Sequence, residues 1–173
     1  MKEKRGKEGW FMIYGWIIGG LTALDLGIKS VVEGQEDGTF PRELPNSRGM
    51  IKLHKNHNSG FPFGFLKERP ELVKVVPLMV ISAMAGALCS LLQGKGKTAQ
   101  KLGLSIIIGG ALSNLYDRLV RGYVVDYFSI EWNRLKKVVF NLGDMFVFLG
   151  SAVIVAEQVV LSLAETAGKV RKK

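Results

Sequence analysis

The chain has 173 residues and carries 47% hydrophobic and 23% charged side chains with a net charge of +9. That length allows one domain and is too short for two independent cores. The positive charge would suit a nucleic-acid partner, but it sits in clusters between long apolar runs, and that segmentation points to a membrane protein with no nucleic-acid role.

Crossing a bilayer core of about 30 Å takes roughly 20 apolar residues in a helix. Four stretches meet that requirement as predicted spans, approximately 10–32, 72–93, 102–120 and 138–164. The first has a basic start (Lys2, Lys4, Arg5, Lys7), but Asp25 and Lys29 stand where a leader would be cut, so it reads as a retained anchor. Asp25 and Lys29 are four residues apart and share a helix face, which predicts a structural ion pair. Small residues at Gly19-Gly20 and Gly109-Gly110 predict close helix contacts. The single cysteine, Cys89, falls inside the second predicted span and is expected to be a small buried hydrophobe.

Between the first two spans, 33–49 is polar and rich in turn residues, including Gly34, Gly38, Pro41, Pro45 and Gly49. Residues Met50 to Lys55 then alternate apolar and polar, and Tyr123 to Ile130 are aromatic and β-branched. Both predict strands, which together would form a small sheet on the membrane surface. Lys95, Lys97 and Lys101 separate the second and third spans, and Lys169, Arg171, Lys172 and Lys173 follow the fourth. The positive-inside rule puts these clusters and both termini in the cytoplasm, with the two remaining loops outside.

Polar residues gather where the spans meet the outer side. Asn58 and Gly60 lie in the first outer loop, and Asn114, Asp117 and Arg118 share a face of the third helix. Asp126 lies in the second predicted strand, and Asn141 and Asp144 start the fourth span. Asp25 and Asp117 have local cationic partners in Lys29 and Arg118; Asp126 and Asp144 have none in sequence, which suggests that they face one another. Two close carboxyls share a proton, so that one can draw a proton from water while the other donates to a carbonyl. His54 and His57 have a ligand-like spacing but no carboxylate or thiol beside them, so no metal site is expected.

At this point the runs Gly109-Gly110-Ala111-Leu112-Ser113-Asn114-Leu115-Tyr116-Asp117-Arg118, Arg121-Gly122-Tyr123-Val124-Val125-Asp126-Tyr127 and Phe140-Asn141-Leu142-Gly143-Asp144 resemble the bacterial lipoprotein signal peptidases, signal peptidase II. So do Asn58-Ser59-Gly60 with Phe63, and Asp25 with Lys29. The resemblance implies a mainly α membrane protein, four transmembrane helices with a small extracytoplasmic β-sheet, forming one peptidase domain over 1–173. It implies removal of signal peptides from diacylglyceryl-modified prolipoproteins at the outer face of the bacterial cytoplasmic membrane. Asp126 and Asp144 would be the catalytic dyad, with Asn58, Gly60, Asn114, Arg118 and Asn141 binding substrate and no metal or cofactor. Lipidated prolipoproteins and membrane phospholipids are the partners expected of a monomer.

The chain departs from the family pattern at Ser113, usually Gly, and at Gly143, usually Ala. Phe61 and Pro62 stand in place of a small pair, which bears on substrate fit. Two rival readings of these membrane carboxylates are a small ion-coupled transporter and a catalytically inactive relative that binds lipidated peptides.

Overall fold

The computed structural model describes residues 2–60 and 68–170, so Phe61, Pro62 and Phe63 lie outside the described residues. The elements run α1 (Lys2–Glu33), β1 (Arg42–Glu43), β2 (Ile51–Asn58), α2 (Pro70–Gln93), α3 (Thr98–Tyr116), β3 (Val124–Ile130) and α4 (Leu142–Val170). The protein is therefore mainly helical with one small sheet, as the segmentation predicts. Three described helical stretches are long and apolar enough to cross a membrane: Phe11–Glu33, Pro70–Gln93 and Leu142–Ala167. α3 is not among them. It carries Lys101, Ser105, Ser113 and Asn114, all buried, and packs against α1, α2 and α4. A helix wrapped by others can hold polar side chains that a lipid-facing helix cannot.

Each boundary has a local cause. α2 opens on Pro70, whose missing N–H costs nothing in a first helical turn. It closes at Gly94, whose carbonyl accepts from Lys101 Nζ at 2.8 Å. Lys101, expected in a loop, is thus folded back from α3 to cap α2. At the other end α3 does not run to residue 120. It widens after Tyr116 into a π turn, Asp117–Arg121, closed by Gly122 at φ +84°. An extra residue per turn rotates the side chains that follow; Asp117 itself ends the regular helix and is buried.

α3 and α4 touch backbone to backbone. A methyl group built on Gly110 would overlap the Gly143 carbonyl, and one on Gly150 would stand 2.5 Å from the Gly103 carbonyl. Gly109 likewise lies against Ile18 of α1. Of the two glycine pairs expected at helix contacts, Gly109-Gly110 is one; Gly19 and Gly20 have open space around them. A methyl on Gly143 would sit 2.7 Å from Ser113 Oγ, so the two departures from the family pattern occupy one volume. Gly143→Ala alone is expected to cost about 1–3 kcal/mol through overpacking. Adding Ser113→Gly should recover part of that loss, and a double-mutant cycle of unfolding temperatures in detergent checks the coupling.

The sheet has the order β1-β2-β3, all antiparallel. The predicted pair of strands is present, and a two-residue third strand inside the 33–49 loop extends it. β2 carries a register shift between Leu53 and Asn56, after which Asn56 pairs with Asp126 and Asn58 with Val124. Such an irregularity re-aims the residues beyond it. The sheet rests on α1 through a cluster of Val32, Val125 and Tyr127, with Ile28, Phe40 and Leu142 around it. So small a sheet alone would be marginal; this one is held by the helix ends beneath it.

One expectation about the helices' outer surfaces is corrected: Cys89 is exposed on α2, not buried.

Candidate active site

Three chain segments deliver the acids and their partners to one place. β3 supplies Asp126, which is 4% exposed. The stretch before α4 is extended through Phe140, which bridges to Phe128, so that the helix starts at Leu142 and not at 138 as the hydropathy predicts. Asn141 then becomes its cap. Asn141 Oδ1 accepts from the Asp144 N–H at 2.9 Å, and Asp144 Oδ2 accepts from the Asn141 N–H at 3.1 Å. This reciprocal pair is a capping box, and it fixes Asp144 to the first turn of α4. The same Asn141 donates through Nδ2 to Asp126 Oδ1 at 2.8 Å. One asparagine therefore touches both aspartates.

Two more asparagines complete the frame. Asn58 Nδ2 donates to Asp126 Oδ2 at 3.2 Å, and its Oδ1 accepts from the Gly60 N–H at 3.1 Å. Asn114 Nδ2 donates to Asp144 Oδ1 at 2.9 Å, and its Oδ1 accepts from Lys29 Nζ at 2.7 Å. In all three amides the oxygen is held by a donor, so the NH₂ is aimed at a carboxylate. Arg118 donates to the backbone carbonyls of Asn114 at 3.3 Å and Gly60 at 3.4 Å, which ties the π turn to the end of β2.

Burial pushes the Asp126 carboxyl up to about 6, and the neighbouring Asp144 adds to the rise, while the Asn141 and Asn58 amides oppose it. A carboxyl that is harder to ionise when folded stabilises the fold in acid, and this contribution is lost as pH rises through the folded value. The unfolding temperature in detergent should therefore gain an increment as pH falls from about 6 toward 3.8, and Asp126→Asn should lack that increment.

Beneath the acids lies a second, fully buried network. Lys29 Nζ is 2.9 Å from Asp25 Oδ2 and 3.0 Å from Asp117 Oδ2, and all three side chains are 0% exposed. The expected Asp25–Lys29 pair is present, but it is not a local helix-end contact. Asp25 also accepts from Ser113 Oγ at 2.5 Å and from the Tyr127 hydroxyl at 2.9 Å. The expected Asp117–Arg118 pair is overturned. Asp117 shares a face of α3 with Asn114 and lies against Lys29 as Asn114 does, and it accepts from Arg121 Nη1 at 2.7 Å and from the Val125 N–H at 3.1 Å. Tyr127 has no role in the sequence reading, and Ser113 enters it only as a departure from the family pattern. Their signals were weak: Ser113 shares a helix face with Asp117, and strand alternation sets Tyr127 opposite Asp126.

The histidines part company. His54 Nε2 bonds Ser129 Oγ at 2.8 Å, whereas His57 Nε2 lies 2.7 Å from Glu33 Oε1 and its ring stacks on Tyr123. Among the described residues no group of three or more His, Cys, Asp or Glu side chains is placed to hold a metal ion. A cavity of about 690 Å³ opens between α1 and the sheet, with apolar walls that include Leu24, Ile28, Val31, Phe40, Leu53 and Tyr127.

Comparison with known proteins identifies the family and the fold. A profile described as "Signal peptidase (SPase) II" matches residues 17–160. Among curated relatives, the lipoprotein signal peptidase of Aeromonas hydrophila is 38% identical over 58% of this chain and 62% of its own length. The match thus spans less than two thirds of that protein. Those of Vibrio parahaemolyticus, 30% identical over 82% of this chain and 85% of its own, and of Mesorhizobium japonicum, 29% identical over 85% of each, match more fully. Two solved structures, both bacterial membrane enzymes determined by the in meso method, share the fold. One has a TM-score of 0.69 at 19% identity over 91% of both chains, the other 0.70 at 18% identity over 84% of this chain and 92% of its own. The chain belongs to the signal peptidase II family.

Proposed function

We propose that this signal peptidase II removes signal peptides from diacylglyceryl-modified prolipoproteins, with Asp126 and Asp144 as its aspartyl dyad. The observation that carries the assignment is the double bond of Asn141 to Asp126 at 2.8 Å and to Asp144 at 3.1 Å. One residue thus engages both the buried Asp126 and the half-buried Asp144, which supports a pair of carboxyls that exchange a proton. In the reaction one carboxylate takes a proton from the attacking water while the other gives its proton to the scissile carbonyl oxygen. The resulting tetrahedral diol collapses as its leaving nitrogen is protonated, freeing the amine of the lipidated cysteine. No cofactor takes part.

Asn58, Asn114 and Asn141 act first on the acids, holding them in place. With Arg118 and the Gly60 backbone they also form the wall against which substrate carbonyls are positioned. The apolar cavity beside Tyr127 adds volume suited to acyl chains at the same depth. α3 serves as a fourth span, sheltered by the other three helices. The basic clusters support a cytoplasmic position for both termini, which puts the sheet and dyad at the extracytoplasmic face of the cytoplasmic membrane. The enzyme works as a monomer among phospholipids, and the substrate's acyl chains keep the scissile bond at that boundary.

The test is cleavage of a diacylglyceryl-modified prolipoprotein by the purified protein, with Asp144→Asn alongside. Cleavage before the lipidated cysteine by wild type alone is the expected result. A wild type that cuts no lipidated substrate would overturn the function, and an Asp144→Asn variant that still cuts would overturn the dyad.

A further inference from the structure

Lys29 is the one cation among the three fully buried side chains of its network, and its ammonium reaches past its two carboxylates to a third group, Asn114 Oδ1, at 2.7 Å. An ammonium has donors only, so it can accept nothing from an amide NH₂. Lys29 therefore selects one of the two orientations of the Asn114 amide, the one in which Nδ2 donates to Asp144 Oδ1 at 2.9 Å. Turned over, the amide would set its NH₂ against the ammonium and its oxygen against the carboxylate, and both contacts would be repulsive. Asn114 sits on α3 and Asp144 on α4, so this relay also joins α1 to the helix that carries the acid.

We propose that Lys29 is a positioning residue of the peptidase reaction, acting through Asn114 on Asp144. The inference rests on the dyad assignment above and adds to it a role beyond ion pairing. Asp25 provides the internal comparison: it shares the ion pair with Lys29 but bonds Ser113 and Tyr127, and no bond joins it to Asn114.

The experiment is steady-state cleavage of a lipidated prolipoprotein by wild type, Lys29→Met, Asn114→Ala, the double variant and Asp25→Asn, with kcat and KM measured for each. Lys29→Met should lower kcat by about 10²-fold with KM nearly unchanged, the scale of loss from a misplaced catalytic group. The double variant should be no slower than Asn114→Ala alone, because both changes remove one relay. Asp25→Asn should keep kcat within a few-fold of wild type wherever it folds. Should Lys29→Met fail to fold, Lys29→Met/Asp117→Asn removes one charge of each sign and replaces it throughout the cycle. Losses in kcat that multiply between Lys29 and Asn114, or a Lys29 effect matched by Asp25→Asn, would overturn the positioning role while leaving the peptidase reading intact. A wild type without cleavage would instead overturn that underlying reading.

Discussion

Asp126→Asn and Asp144→Asn are each expected to lower kcat/KM for prolipoprotein cleavage by about 10³- to 10⁴-fold, near the upper end of what a positioned acid–base group contributes. The losses should not multiply in the double variant, since the two carboxyls act as one unit on one proton. Folding should survive in both single variants, because an asparagine keeps the size of the side chain it replaces. The substituted amide does meet a conflict. At position 126 both oxygens accept from amide donors, Asn141 and Asn58, so the new NH₂ faces one of them. That mismatch is small beside the loss of the acid, and cleavage assays alongside unfolding temperatures separate the two. A variant that unfolds cooperatively and does not cut is the expected outcome for each.

The second large effect is on stability. Asp117→Ala should destabilise the protein by about 3–5 kcal/mol, the usual cost of breaking a buried ion pair by removing one partner. Asp117 is fully buried and accepts from Lys29, from Arg121 and from the Val125 N–H, so its removal leaves three donors short of an acceptor. It also releases the start of β3, two residues before Asp126, the proposed dyad acid. The contrast is Asp37, which pairs with Lys55 at 2.7 Å but is 89% exposed. Exposed pairs are screened by water and salt, so Asp37→Ala should leave the unfolding temperature unmoved. Thermal unfolding in one detergent compares the two directly.

How far these features could be read from sequence depends on how local their causes are. The apolar runs, the strand patterns at Met50 to Lys55 and Tyr123 to Ile130, and the order of polar clusters are local, and each has its counterpart in the structure. The partners of Asp117 are not. Sequence proximity favours Arg118, but Asp117 shares a face of α3 with Asn114, and both meet Lys29, 88 positions before Asp117. Hydropathy likewise ran the fourth span back to residue 138, because Val138, Val139 and Phe140 are apolar whether they form a helix or lie along a sheet. The pattern Asn141-x-x-Asp144 held a better signal for the true start, since a capping box needs a polar residue at each of those positions. Ser113 and Gly143 looked like isolated substitutions; only the approach of α3 to α4 shows that they fill the same space.

The three inward-facing asparagines also set terms for anyone designing a blocker of this site. Each amide oxygen is already engaged within the protein, and one N–H of each amide already addresses an acid. What the pair of acids offers a visiting molecule is its remaining acceptor lone pairs and the one proton the two share. A compound built around a tetrahedral carbinol, whose hydroxyl hands a proton toward both carboxylates, matches that surface. One that relies on a carbonyl pointed at the acids meets oxygen with oxygen unless one of the pair is protonated, so its potency should weaken as the medium becomes more alkaline, whereas the carbinol's should hold.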